Sequence, residues 1–180
     1  MRVFVLCTGR CGSTTFGEAL RHCTNYTSAH ESQTHLLGPK RLAFPDQHIE
    51  IDNRLSWTLG RLDQVHGDAP FYVHLLRDPD AVAKSFTARH QRGLMKGWRE
   101  GFLAQHHRRH PNAPVVQVAR ELVDTVTENI QHFLKDKTKT MTVHLETVTQ
   151  DFPAFWQAIG AQGDLAAAMD AWTIHHNATR

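Results

Sequence analysis

The sequence has few cysteines, no long apolar run and little net charge. Its three cysteines, Cys7, Cys11 and Cys23, form an odd set without a CxxC pair, which argues against a disulfide framework or a zinc site. The apolar run Val3 to Cys7 has five residues, whereas a membrane span needs about 20, and it is too short for a signal segment. We therefore expect a cytoplasmic chain without a membrane span.

The formal net charge of +2 is too small to indicate a nucleic-acid or membrane partner by itself. Residues 88–110 are rich in Arg and His. A solvated helical face is the preferred interpretation of this stretch; an acceptor-side wall and a nucleic-acid patch are the alternatives. No groove-reading motif is present, so nucleic acid is not expected. The fourteen histidines show no HExxH pattern, so no dedicated metal site is expected.

Strand and helix signals alternate along the chain. Its 180 residues suit one domain, 1–180. Because helices separate the strands, we predict an α/β domain with a central, mainly parallel sheet flanked by helices in three layers. Predicted strands cover 3–7, 26–29, 71–76 and 140–145; predicted helices cover 13–21, 115–134 and 152–159, with another beginning at 79 and leucines at helical spacing over 55–62. Residues 31–50 are predicted to be an irregular connection.

The first strand is followed by the loop TGRCGSTT, Thr8 to Thr15. Gly9 and Gly12 allow a tight turn, and the N-terminus of the next helix points its N–H groups at the same place, so the loop is suited to an anion. Ser13 occupies the position where a Walker loop has lysine. A plain glycine turn with a surface arginine is the alternative for this loop.

A second strand end carries RDPDAVAKS, residues 77–85. Asp78 is a predicted N-cap and Pro79 the first helical residue. Arg77 offers a planar fork for phosphate and Ser85 a hydroxyl donor. A surface pair between Arg77 and a neighbouring aspartate is the alternative.

Together these two segments resemble those of the sulfotransferases that use 3′-phosphoadenosine 5′-phosphosulfate (PAPS). A third stretch, Val143 to Gly160, is similar to a later strand and helix of that family. The resemblance implies a P-loop-like fold, PAPS as donor and 3′-phosphoadenosine 5′-phosphate (PAP) as product. It assigns Arg10, Cys11, Gly12, Ser13, Thr14 and Thr15 to the 5′-phosphosulfate, with Cys11 acting through its backbone and Arg10 also catalytic. It assigns Arg77 and Ser85 to the 3′-phosphate.

The missing lysine suits such a donor, because a transferring sulfuryl group carries about one negative charge fewer than a transferring phosphoryl group. Transfer then requires in-line positioning of an acceptor hydroxyl and a base for its proton. His30 and Glu31 follow the second strand and are the candidates. Adjacent residues of an extended segment face opposite ways, so one of them should face the site; Glu31 is preferred from the family comparison. His35 is a weaker candidate, and two surface residues without a role are the alternative.

Three functions follow as hypotheses. The first is a PAPS-dependent sulfotransferase without metal, acting on a carbohydrate or small-molecule hydroxyl. The second is an ATP-dependent phosphotransferase of the P-loop type. The third is a non-catalytic nucleotide-binding relative. The sequence identifies neither the acceptor nor the oligomeric state.

Overall fold

A computed structural model describes residues 1–173 of the chain. These residues contain a sheet of five strands in the order β2-β3-β1-β4-β5, and every neighbouring pair is parallel. The predicted α/β class is therefore confirmed. The strands are β1 (Arg2–Leu6), β2 (Thr27–His30), β3 (His48–Ile51), β4 (Phe71–Leu76) and β5 (Thr140–His144).

Helices cover both faces of the sheet. They are α1 (Ser13–Leu20), α2 (Leu59–His66), α3 (Pro79–Thr87), α4 (Gly93–Lys96), α5 (Ala104–Arg109), α6 (Val115–Leu134), α7 (Val148–Ala158) and α8 (Leu165–Asp170). Asn53–Trp57 forms a 3₁₀ turn and Gly97–Phe102 a π-helical turn. The predicted leucine helix is thus divided into a 3₁₀ turn and α2.

Aromatic and aliphatic side chains hold the three layers together. On one face, Phe16 of α1 meets Phe152 and Phe155 of α7, with ring centroids 5.3 and 5.2 Å apart. On the other face, Tyr72 of β4 meets Phe133 of α6 at 5.2 Å. The apolar stripe predicted for α6 is buried at Val118, Ala119, Leu122, Val123, Val126 and Ile130. Removing these faces from water supplies the main driving force for folding.

The start of α3 agrees with the predicted capping. Asp78 Oδ1 accepts a hydrogen bond of 2.8 Å from the backbone N–H of Ala81, and Pro79 occupies the first turn. Proline is accepted there because its missing N–H would have no helical partner. The cap fixes the point at which the chain leaves β4, and therefore the position of Arg77.

The prediction of an irregular connection over residues 31–50 is wrong at its C-terminal end. Residues 48–51 form β3, which lies between β2 and β1. The sequence HIEI does not have the apolar pattern of a buried strand, because His48 and Glu50 are polar. In the structure, however, Glu50 has no exposed surface. Such burial needs polar partners supplied by tertiary contacts, and a local pattern does not reveal them.

The strand order creates a switch point between β1 and β4. The chain leaves β1 toward β2 on one side and leaves β4 toward β5 on the other. Ligands of open parallel sheets bind in the crevice at such a point, beyond the carboxyl ends of the strands. Within residues 1–173, no helix is both long and apolar enough to cross a bilayer.

Candidate functional site

The loop after β1 has an unusual backbone. Gly9, Arg10 and Gly12 all have positive φ values, of 84°, 61° and 89°. Gly12 is also the N-cap of α1, in the left-handed conformation, and as a glycine it has no side chain to cap that helix. Successive turns of this kind point backbone N–H groups into one concavity, beside the positive end of a helix. This backbone geometry is compatible with the predicted anion-binding role of the loop.

The side chains of this loop divide between the interior and the site. Cys11 is buried, and its Sγ lies 3.1 Å from Thr8 Oγ1 and 3.3 Å from the carbonyl oxygen of Gly9. The side chain of Cys11 is therefore occupied by contacts inside the loop. Ser13 and Thr15 are also largely buried, whereas Thr14 is half-exposed. Cys7, Cys11 and Cys23 are free thiols.

Arg77 and Ser85 meet the loop directly. Arg77 Nη1 donates a hydrogen bond of 3.2 Å to the backbone oxygen of Arg10, and Arg10 Nε donates one of 2.9 Å to Ser85 Oγ. The two segments that the sequence predicts to hold separate anionic groups are thus in contact at the switch point. Arg10 lies in the first segment and contacts both Arg77 and Ser85 of the second.

Positive charge accumulates around Arg10. Burial lowers the pKa of Arg10 from its ordinary value, and the charges of Arg89, Arg77 and Arg92 lower it further. Arg10 remains charged, since the ordinary pKa of arginine is far above neutral. A cluster of like charges is unfavourable until an anion enters, so the field favours an anionic ligand.

His30 and Glu31 both lie at this edge of the sheet. His30 Nε2 is 3.1 Å from Ser13 Oγ. Glu31 is not extended: its φ is 53°, so the expectation that only one of the two faces the site does not apply. Glu31 accepts a hydrogen bond of 2.5 Å from Asn53 Nδ2 and forms an ion pair with Arg54.

Buried carboxylates of β3 and the residue after it support the segment that carries Glu31. Both oxygens of Glu50 accept hydrogen bonds from Ser32, through its backbone N–H and its hydroxyl, each at 2.7 Å. Asp52 accepts from the backbone N–H of Arg54 at 2.7 Å and pairs with Arg41. The two carboxylates therefore fix Ser32 and Arg54, which flank Glu31 in space.

Asn53 lies between Glu31 and the loop after β1. Its amide donates to Glu31, and a Cβ placed on Gly9 would lie 3.5 Å from Asn53 Nδ2. Sequence reasoning missed Asn53 and Arg54, as well as the carboxylates that hold them. The signal was their position directly after a strand, and it was lost because β3 itself was not recognised.

A cleft of about 440 Å³ adjoins the loop after β1 on the side of β4 and β5. Thr8, Cys11 and Arg77 line it toward the loop, His144 and Glu146 line it at the end of β5, and Val123 and Thr127 line it on the side of α6. Arg77, one of the arginines whose charge acts on Arg10, is thus part of the lining of this cleft.

Comparison with known proteins adds no assignment: no protein-family model matches the chain, and no curated protein matches it. Within the part of the chain that the structure describes, no three His, Cys, Asp or Glu side chains are grouped so that they could hold a metal ion.

Proposed function

We propose that this protein is a PAPS-dependent sulfotransferase that transfers a sulfuryl group to an acceptor hydroxyl. The observation that carries the proposal is the contact between the two anion-binding segments, in which Arg77 binds the Arg10 carbonyl and Arg10 binds Ser85. A nucleotide with anionic groups at both its 5′ and 3′ ends needs two such segments side by side, whereas a nucleoside triphosphate concentrates its charge at one end.

The residues divide the binding of PAPS between them. The backbone of the loop after β1, with the hydroxyls of Ser13 and Thr14, suits the 5′-phosphosulfate, while Arg77 and Ser85 suit the 3′-phosphate. The adjoining cleft suits the adenosine. The nucleotide supplies the sulfuryl group, its 5′-phosphate leaves as PAP, and Arg10 stabilises the negative charge that develops on that phosphate oxygen as the sulfuryl group moves to the acceptor.

Glu31 is the base in this proposal. Each carboxylate oxygen has two acceptor sites, so the contacts with Asn53 and Arg54 leave Glu31 able to accept the proton of an acceptor hydroxyl. Those contacts also hold its orientation, as catalysis by a positioned base requires. His30, which contacts Ser13, is the second candidate. The acceptor is a carbohydrate or another small hydroxyl compound.

Two measurements test the function. Calorimetry should detect PAP binding both with EDTA and with Mg²⁺. A screen of hydroxyl compounds with sulfur-labelled PAPS should then yield a labelled product. ATP binding that requires Mg²⁺, without PAP binding, would support a phosphotransferase instead. PAP binding without transfer, unchanged by loss of Glu31 and His30, would support a non-catalytic nucleotide-binding protein.

A further inference from the structure

Arg89 lies in the turn that continues α3, four residues after Ser85. Its backbone N–H donates to the carbonyl of Phe86 at 2.9 Å, so the helical course of the chain extends to this point. Residues four apart on a helical course lie on the same face. Arg89 is therefore on the face of α3 from which Ser85 contacts Arg10.

The guanidinium of Arg89 is partly enclosed. Its Nε is shielded from solvent, and no acceptor within residues 1–173 binds it. A buried charged donor without an acceptor is costly, and native structures seldom retain one without a use. A bound anion that reached this nitrogen would supply the missing acceptor.

The charges around Arg89 point the same way. No carboxylate in the described part of the chain forms a salt bridge with Arg77, Arg89 or Arg92. Of these three arginines, Arg89 lowers the pKa of Arg10 the most, and only burial lowers it more. The charge of Arg89 therefore acts on the same guanidinium that contacts Ser85.

We propose that Arg89 is a further cation for the 3′-phosphate and makes the site selective for nucleotides that carry this group. The proposal rests on the proposed function and deepens it. A phosphate monoester carries nearly two negative charges at neutral pH, which Arg77 alone does not balance. Ser85 accepts from Arg10, and its own hydroxyl hydrogen remains available to a phosphate oxygen. Arg89 adds the second charge from the adjacent turn.

Calorimetry with two ligands tests this role in the full-length protein. PAP carries the 3′-phosphate, and adenosine 5′-phosphosulfate lacks it but keeps the 5′ end of the donor. Arg89→Ala should weaken PAP binding about 10- to 100-fold, the equivalent of one charged hydrogen bond, and adenosine 5′-phosphosulfate binding less than about threefold. Arg89→Lys keeps the charge without the planar fork, and we expect an intermediate loss.

Arg108→Ala is the matched control, because it removes the same charge from an exposed position of α5. It should leave both affinities unchanged. If Arg89→Ala does not fold, as judged by thermal unfolding, Arg89→Gln takes its place. Equal losses for the two ligands, or no loss for PAP, would overturn the role of Arg89. Unchanged nucleotide affinity with a higher KM for the acceptor would overturn it too and assign Arg89 to the acceptor. Wild-type protein that binds neither nucleotide would overturn the proposed function as well.

Discussion

Arg10 and Ser85 are 75 positions apart in sequence, yet Arg10 Nε donates a 2.9 Å hydrogen bond to Ser85 Oγ. The bond joins the loop after β1 to the last turn of α3, across the switch point of the sheet. Because Arg77 also binds the carbonyl of Arg10, the side chain and the backbone of Arg10 are both held by the second segment. Ligand binding at either segment is therefore expected to affect the other.

Replacing Arg77 by alanine should weaken PAP binding about 10- to 100-fold, because it removes a charged donor to the 3′-phosphate. The binding of adenosine 5′-phosphosulfate should fall much less. Calorimetry measures both affinities, with Arg21→Ala as control, since Arg21 is exposed and pairs only with Glu18 within residues 1–173. A loss of the same size for both nucleotides would remove Arg77 from the 3′-phosphate.

Gly12→Ala should both destabilise the protein and weaken PAP binding. The φ of Gly12 is 89°, and an added Cβ would lie 3.0 Å from Leu145 Cδ1; the left-handed conformation alone costs an L-residue about 1–2 kcal/mol. Gly60→Ala is the control, because Gly60 is helical and its Cβ would meet nothing within 4 Å. That change should increase the free energy of unfolding by up to about 1 kcal/mol. Urea unfolding measures the stability of both variants, and calorimetry measures their PAP affinity. A Gly12→Ala variant as stable as the wild type would contradict the need for glycine at this position.

Glu31→Gln should lower the rate of sulfuryl transfer at least about 100-fold, the usual contribution of a positioned base. PAP affinity should be retained, because Glu31 is proposed to contact the acceptor and not the nucleotide. His30→Ala is the comparison in the same labelled-PAPS assay. If His30→Ala abolishes transfer while Glu31→Gln does not, His30 is the base and Glu31 has another role.

Glu50→Ala should destabilise the protein by about 1–3 kcal/mol, because Glu50 is fully buried and accepts from Ser32. His48 Nε2, 3.1 Å from Glu50, would also lose its partner. Urea unfolding gives the loss, and hydrogen exchange should show faster exchange of the Ser32 amide. Glu121→Ala, at an exposed position of α6, should change neither the free energy of unfolding nor the exchange of the Ser32 amide. Unaltered exchange at Ser32 would mean that Glu50 does not support the segment carrying Glu31.

His74 should make stability depend on pH. Burial, helped by the charge of His144, lowers the pKa of His74 from 6.5 to about 4. The unfolded chain therefore binds a proton between these values that the folded protein does not. The contribution of His74 to the free energy of unfolding is fully present above about pH 6.5 and is lost as the pH falls toward 4. The total loss across this range is about 3 kcal/mol.

Urea unfolding across that pH range checks the expectation. His74→Leu should lose this component of the pH dependence, whereas His132→Gln, at an exposed position of α6, should keep it. Identical pH profiles for wild type and His74→Leu would show that His74 does not titrate in this way.

The sequence by itself determined the α/β class, the positions of α3 and α6 and the glycine turn between β1 and α1, since each of these depends on neighbouring residues. Apolar periodicity, a capping aspartate before proline and glycines between a strand and a helix act over a few positions. The assignment of Arg77 and Ser85 to one site likewise followed from their spacing.

Only the tertiary structure decided the remainder of the site. Glu50 and Asp52 look like surface residues, because what makes their burial tolerable is partners brought from distant segments, Ser32 for one and Arg41 for the other. The same holds for the left-handed turn at Glu31 and for the contacts that join Arg10 to Arg77 and Ser85. Local patterns report local preferences, whereas charge clusters and buried polar networks depend on which strand ends the sheet places side by side.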